Sequence, residues 1–164
     1  MAQSTNKKVL IARFDREPVE GFVHASAGFD QETIEILTPS GTLLHIPLLD
    51  TKAVCFVRDF DAGETWRHHR TFLTRPKTAG IWVRLLFRDG DSVEGMLSNN
   101  LMLIDPAGFS IIPPDPTFQN QRIFVPRAAL REVQVLGVVG SPLKRRVGKK
   151  PEAEGQLEMF GEGS

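Results

Sequence analysis

The sequence has one cysteine, Cys55, no tyrosine, and no surplus of charge: 20 basic side chains balance 20 acidic ones in 164 residues. A single thiol excludes an internal disulfide. Neutrality excludes a globally basic nucleic-acid binder, though not a local patch, and a chain without tyrosine has fewer rings on which single strands could stack. The longest apolar runs, such as Ala53–Val57, are about five residues, against roughly 20 for a transmembrane helix. No membrane span is therefore expected. Met1–Asn6 is polar and carries no signal-peptide core, which makes the cytoplasm the expected compartment. Catalytic fingerprints are missing too: Gly-x-Ser-x-Gly, His-Glu-x-x-His, a Walker loop and the dinucleotide glycine pattern do not occur. His68-His69 is the only histidine cluster, and adjacent residues on a strand point to opposite faces, a poor chelating geometry. Cys55 lies in an apolar run and is expected to pack as a small hydrophobe. The expectation is a protein without catalytic residues, metal or cofactor.

What the chain does have is a repeat. Val19-Glu20-Gly21 recurs as Val93-Glu94-Gly95, 74 positions later. Ile46-Pro47 recurs as Val125-Pro126, 79 positions later, and at that offset Lys52 meets Arg131, Val54 meets Val133 and Phe56 meets Val135. Ile34-Glu35-Ile36 corresponds to Phe109-Ser110-Ile111. The growing offset places insertions in loops, where they cost little. Chance can produce one tripeptide match but is a poor source of an ordered series.

Each copy alternates apolar and polar residues with period two and is rich in β-branched and aromatic side chains, the pattern of half-buried strands. Turn residues separate the strands: Pro39-Ser40-Gly41, Asp89-Gly90, Asp105-Pro106-Ala107-Gly108. Leu49–Ala53 and Arg127–Arg131 are too short for ordinary helices and suit one 3₁₀ turn each before the last strand. Five short strands with a tight turn before the fifth describe a small SH3-like barrel, whose closure would protect its strand edges. The fold class expected is all-β: two tandem five-stranded small barrels, residues 7–60 and 80–137, joined by a linker, 61–79, and followed by a disordered tail, 138–164.

Val83–Gly90 followed by Val93–Leu97 resembles the first strands of Sm-like barrels: an alternating strand, an Asp-Gly turn, then a strand with a glycine at its bend. Copy one departs from that pattern, with Asp15-Arg16-Glu17-Pro18 at the turn. The chain also looks like an uncharacterised bacterial family of tandem barrels with a Phe-Val-Arg-Asp-Phe segment, here Phe56–Phe60. The Sm-like resemblance implies RNA or single-stranded DNA binding through loop amides and basic side chains. Its candidates are Asn99, Asn100 and Arg122, with Arg67 and Arg70; the competing reading of Asn99-Asn100 is a polar turn. The resemblance also implies oligomerisation through barrel edges, one contact of which a tandem copy could satisfy internally. A PilZ-type cyclic-dinucleotide site is rejected, because Gly90 stands where an acidic or amide residue is required and Arg67 and Arg70 are three apart.

Beyond Leu136 periodicity fades, and Lys144, Arg145 and Arg146 precede an acidic stretch, the composition of a disordered segment. Three large apolar residues stand in it, within Gln156-Leu157-Glu158-Met159-Phe160. That pentapeptide resembles the bacterial sliding-clamp-binding motif. The resemblance implies that Gln156 hydrogen-bonds at a pocket rim, Leu157 rests on the clamp, and Met159 and Phe160 fill a hydrophobic subsite. The basic run Lys144–Arg146 would then lie near DNA. Folding back of the same residues onto a barrel groove is the competing fate. The functional expectation is a non-enzymatic adaptor whose tail binds a partner, the DNA sliding clamp foremost, with RNA or single-stranded DNA binding by the barrels, or a regulatory protein adaptor whose barrels present an edge strand to an extended peptide, as the alternatives.

Overall fold

The fold is that of a computed structural model, which describes residues 6–24, 28–29, 32–60, 71–114 and 120–140. Among them are ten strands: β1 (Asn6–Arg13), β2 (Val19–His24), β3 (Thr33–Leu37), β4 (Leu43–Pro47), β5 (Thr51–Val57), β6 (Gly80–Phe87), β7 (Ser92–Leu97), β8 (Gly108–Ile111), β9 (Asn120–Pro126) and β10 (Leu130–Val139). Single 3₁₀ turns, Leu48–Asp50 and Arg127–Ala129, lead into β5 and β10, and a third spans Leu101–Leu103. No helix among the described residues is long and apolar enough to cross a membrane. The last strand continues past Leu136: Gly137, Val138 and Val139 pair with Trp82, Ile81 and Gly80 beyond a bulge at Val135/Gly137.

The strands form two antiparallel sheets, of order β4-β3-β2-β1-β5-β9-β8 and β10-β6-β7. Both are open, where period and turn spacing predict two separately closed barrels. A single bridge, Met96 to Ile112, links β7 to the end of β8. Its counterpart in the first half is the single pair Phe22–Leu37 between β2 and β3. Each half thus runs fifth-first-second-third-fourth, and the halves meet where β5 pairs with β9.

Two glycines account for the one-pair junctions. A Cβ on Gly21 would lie 2.5 Å from Ile36 Cγ1 and 2.5 Å from the Leu37 carbonyl oxygen; one on Gly95 would lie 2.7 Å from Ile111 Cβ. An isoleucine of the third strand therefore crosses over each glycine, an approach that only a residue without a side chain permits.

Two cores flank the joint. One gathers Val9, Ile11, Val23, Ile34, Ile36, Ile46, Val54 and Phe56 of the first half with Phe124 of β9. The other gathers Val83, Leu85, Phe87, Val93, Ile111, Ile123 and Val125 of the second half with Ala12, Ala53, Cys55 and Val57 of the first. Every residue of β5 is buried. The period-two pattern read for each copy as a whole predicts one covered face; both are covered, because β9 extends the sheet beside β5 and brings the second core onto the other side. Burial pushes the Cys55 thiol up to about 12, so it stays neutral and packs as an apolar group.

A charged cluster pins the same joint. Lys52 Nζ donates to Asp89 Oδ2 at 2.7 Å and to Asp91 Oδ2 at 2.9 Å, linking the start of β5 to the β6–β7 turn. The Arg88 guanidinium lies 4.0 Å from the Phe14 ring centroid and donates to the Leu49 carbonyl at 2.8 Å. Partial burial pushes the Asp89 carboxyl up, but the Lys52 hydrogen bond and charge and the Asp91 backbone N–H outweigh it and hold the group below its ordinary 3.8. A depressed carboxylate contributes stability above its unfolded value and loses it as pH falls through the folded one. Asp89→Asn is accordingly expected to cost about 1 kcal/mol or less near neutral pH, since solvent screens a side chain 39% exposed. The cost should diminish as pH falls below the ordinary 3.8 and through the lower folded value. Urea unfolding of both proteins across that range measures it.

Candidate functional site

A cleft of about 420 Å³ opens beside the end of β7. Its apolar floor is Met96 and Ile112, joined by the β7–β8 bridge, with Leu97 beside them. One wall comes from Leu103 and Ile104, another from Thr78 and Ala79, and Arg122 of β9 supplies a cation.

The geometry of each wall follows from local chemistry. Asn100 Oδ1 accepts from the Met102 backbone N–H at 3.1 Å and so caps the 3₁₀ turn Leu101–Leu103. The Asn100 N–H in turn donates to Ser98 Oγ at 3.1 Å. The capped turn holds Leu101, Met102 and Leu103 out in solvent, Met102 at 91% exposure. The Thr78–Ala79 wall follows a segment fixed at Phe72. The Phe72 backbone N–H donates to Glu94 Oε2 at 3.1 Å, and its ring meets Trp82 edge-on with centroids 6.0 Å apart. Glu94, itself buried, also accepts from Arg84 Nη2 at 3.0 Å and from Trp82 Nε1 at 3.3 Å. Those bonds match a buried carboxylate with the donors it needs. Arg122 lays its guanidinium 4.1 Å from the Phe56 ring centroid, across the β5–β9 joint.

Of the residues expected from the sequence to bind nucleic acid, Arg122 lines the cleft, while Asn100 shapes it from behind, its side-chain oxygen committed to the cap. Asn99 is exposed at the bend before the turn and is not part of the lining. Arg67, Arg70, Lys144, Arg145 and Arg146 lie outside the described residues, as do Gln156, Leu157, Met159 and Phe160. The exposed apolar turn was not foreseen. Its signal was present as Leu-Met-Leu directly after a capping asparagine, too short to show a period. Among the described residues no group of three or more His, Cys, Asp or Glu side chains could hold a metal ion.

The model of a family of unknown function, DUF6982, matches residues 5–137, and the chain belongs to that family. No curated protein and no solved structure matches the chain.

Proposed function

We propose that this member of the DUF6982 family is a non-enzymatic binding protein of the cytoplasm, an adaptor whose two repeats are small barrels of the Sm-like and SH3-like kind fused into one body. The strand order shared by both halves supports the barrel reading. The observation that carries the adaptor reading is the exposed turn Leu101–Leu103 beside a cleft with an apolar floor and Arg122 on its rim. A capped turn that holds three large apolar side chains in water suits a protein segment with apolar anchors better than a small polar substrate.

A second attachment is the segment Gln156–Phe160, whose resemblance to the clamp-binding pentapeptide makes the DNA sliding clamp the partner of this reading. Lys144, Arg145 and Arg146 stand between body and motif, where they would meet the DNA that a clamp encircles. Calorimetric titration of the full-length chain with sliding clamp is expected to give saturable binding, weakened at least tenfold by Leu157→Ala combined with Phe160→Ala. Absence of saturation removes the clamp. Single-stranded RNA retained at low salt and lost with Arg122→Ala would favour nucleic-acid binding by the barrels instead.

A further inference from the structure

The joint between the halves is a template whose two complementary edges are left over. β5, the fifth strand of the first repeat, pairs with β9, the fourth strand of the second, in the register Val54–Phe124, Cys55–Ile123, Phe56–Arg122. The corresponding fifth and fourth strands that remain, β10 and β4, are the outer strands of the two sheets.

Exposure at equivalent positions shows what the joint covers. Val133 and Val135 face Leu85 and Val83 across β10–β6, as Val54 and Phe56 face Ile11 and Val9 across β5–β1. Val54 and Phe56 are 0% and 9% exposed; Val133 and Val135 are 37% and 64%. On the other edge, Ile123 pairs with Ile111 and is 2% exposed, whereas its equivalent Leu44, paired with Ile36, is 36% exposed, and Leu43 beside it is 52%. Positions that are buried at the β5–β9 joint as Val54, Phe56 and Ile123 are apolar and open on β10 and β4 as Val133, Val135 and Leu44, while Cys55 and Phe124 correspond to Gln134 and His45.

The charges repeat in the same way. Lys52 of the first repeat grips Asp89 and Asp91 in the turn of the second. At the same offsets, 79 and 74, Lys52 becomes Arg131, and the two aspartates become Asp15 and Glu17. All three of these residues are exposed. The cation stands at the start of β10, and the acidic pair stands in the β1–β2 turn of the half that ends in β4.

We infer that β10 of one molecule pairs antiparallel with β4 of a second copy of this chain, in the register Val133–His45, Gln134–Leu44, Val135–Leu43, with Arg131 against Asp15 and Glu17. A second copy is the occupant the surface fits, because it carries the apolar edge and the acidic turn together at the spacing the internal joint already uses. An unpaired strand edge is a template for such addition. The contact is head-to-tail, so a pair of molecules leaves one β4 edge and one β10 edge unfilled and the assembly grows past a dimer.

Light scattering on the full-length chain is expected to give a mass that rises with concentration well above the 18.3 kDa of one chain. Val135→Arg, at an exposed site, should return it to one chain, and Arg131→Glu should raise the dissociation constant at least tenfold. Cross-linking reads the register. Val135→Cys mixed with Leu43→Cys should form a disulfide between the two proteins under mild oxidation, while neither variant alone links to itself. A mass of one chain at all concentrations overturns the inference, whether the edges are covered from within the chain or by a different protein. So does self-linking of Val135→Cys, which would mean a two-fold β10–β10 contact, or an assembly that both edge variants leave unchanged.

Discussion

Phe124→Ala is expected to lower the stability of the whole chain by about 3–5 kcal/mol, the usual cost of removing a fully buried phenylalanine. The residue belongs to the second repeat by sequence but is spent in the core of the first. It sits opposite Val54, is fully buried, and stacks on Phe29 with ring centroids 4.2 Å apart. The next residue, Val125, and the one before it, Ile123, point the other way into the second core. One strand thus feeds both cores, and β5 does the same from the other side. A domain of this size has only about 5–15 kcal/mol of net stability, so the loss is a large share of it. Because the two cores meet on β5 and β9, the halves should lose it together. Hydrogen-exchange mass spectrometry under mild denaturant should show β1 and β6 losing protection by the same increment. Loss confined to β1–β4, with β6–β8 unchanged, would mean that the halves unfold independently and that the shared strands are a lesser tie.

That sharing marks the limit of what the sequence discloses about the fold. Alternation identified the strands, and the matched series from Val19-Glu20-Gly21 to Phe56 identified the repeat; both are local signals, carried by neighbours in the chain. Burial of both faces of β5 is set by β9, which lies some 70 positions away. Its one local trace is the unbroken apolar run Ala53–Val57, the mark of a strand covered on two sides. Closure is not legible for the same reason: period two reports which residues face a core, not whether the first and last strands of a repeat meet, and the strands stand in two open sheets. The end of β10 was missed because Gly137 looks like a terminator, whereas here it follows a bulge after which pairing resumes.

The candidate site was less legible still. Asn100 could be read as a turn residue, and it caps a turn. Arg122 could be read as a loose basic residue; its place on the cleft rim depends on the Phe56 ring across the joint, which no spacing reveals. Glu94, inside the repeated Val-Glu-Gly, looked like the polar partner of an alternating strand. It is instead a buried acceptor for Arg84, Trp82 and the Phe72 backbone. In the first repeat its equivalent, Glu20, is half-buried. Identical tripeptides therefore hold different electrostatic roles, fixed by whether a tryptophan and an arginine stand opposite.

The glycine of that tripeptide has the same role in both copies, and its replacement is the second large effect expected. Gly95→Ala places a methyl 2.7 Å from both Cβ and Cδ1 of Ile111; Gly21→Ala places one 2.5 Å from the Leu37 carbonyl oxygen. Neither obstacle can rotate away. Cβ of Ile111 is fixed to the backbone, and the Leu37 oxygen is backbone itself, so the third strand must move off the second. Overpacking of this kind costs about 1–3 kcal/mol, and more where backbone must shift. Chemical denaturation of Gly95→Ala and Gly21→Ala should put each at about 3 kcal/mol of destabilisation, at the upper end of that range. The control is shortening the opposing side chain. Ile111→Ala keeps its Cβ, and Ile36→Ala leaves the Leu37 carbonyl in place, so neither second substitution should restore the glycine variant of its own repeat. Full recovery of Gly95→Ala by Ile111→Ala would show that the outer methyl groups of the isoleucine, not the path of strand β8, demand the glycine. A loss near zero in both alanine variants would separate the recurrence of Val-Glu-Gly from any packing requirement.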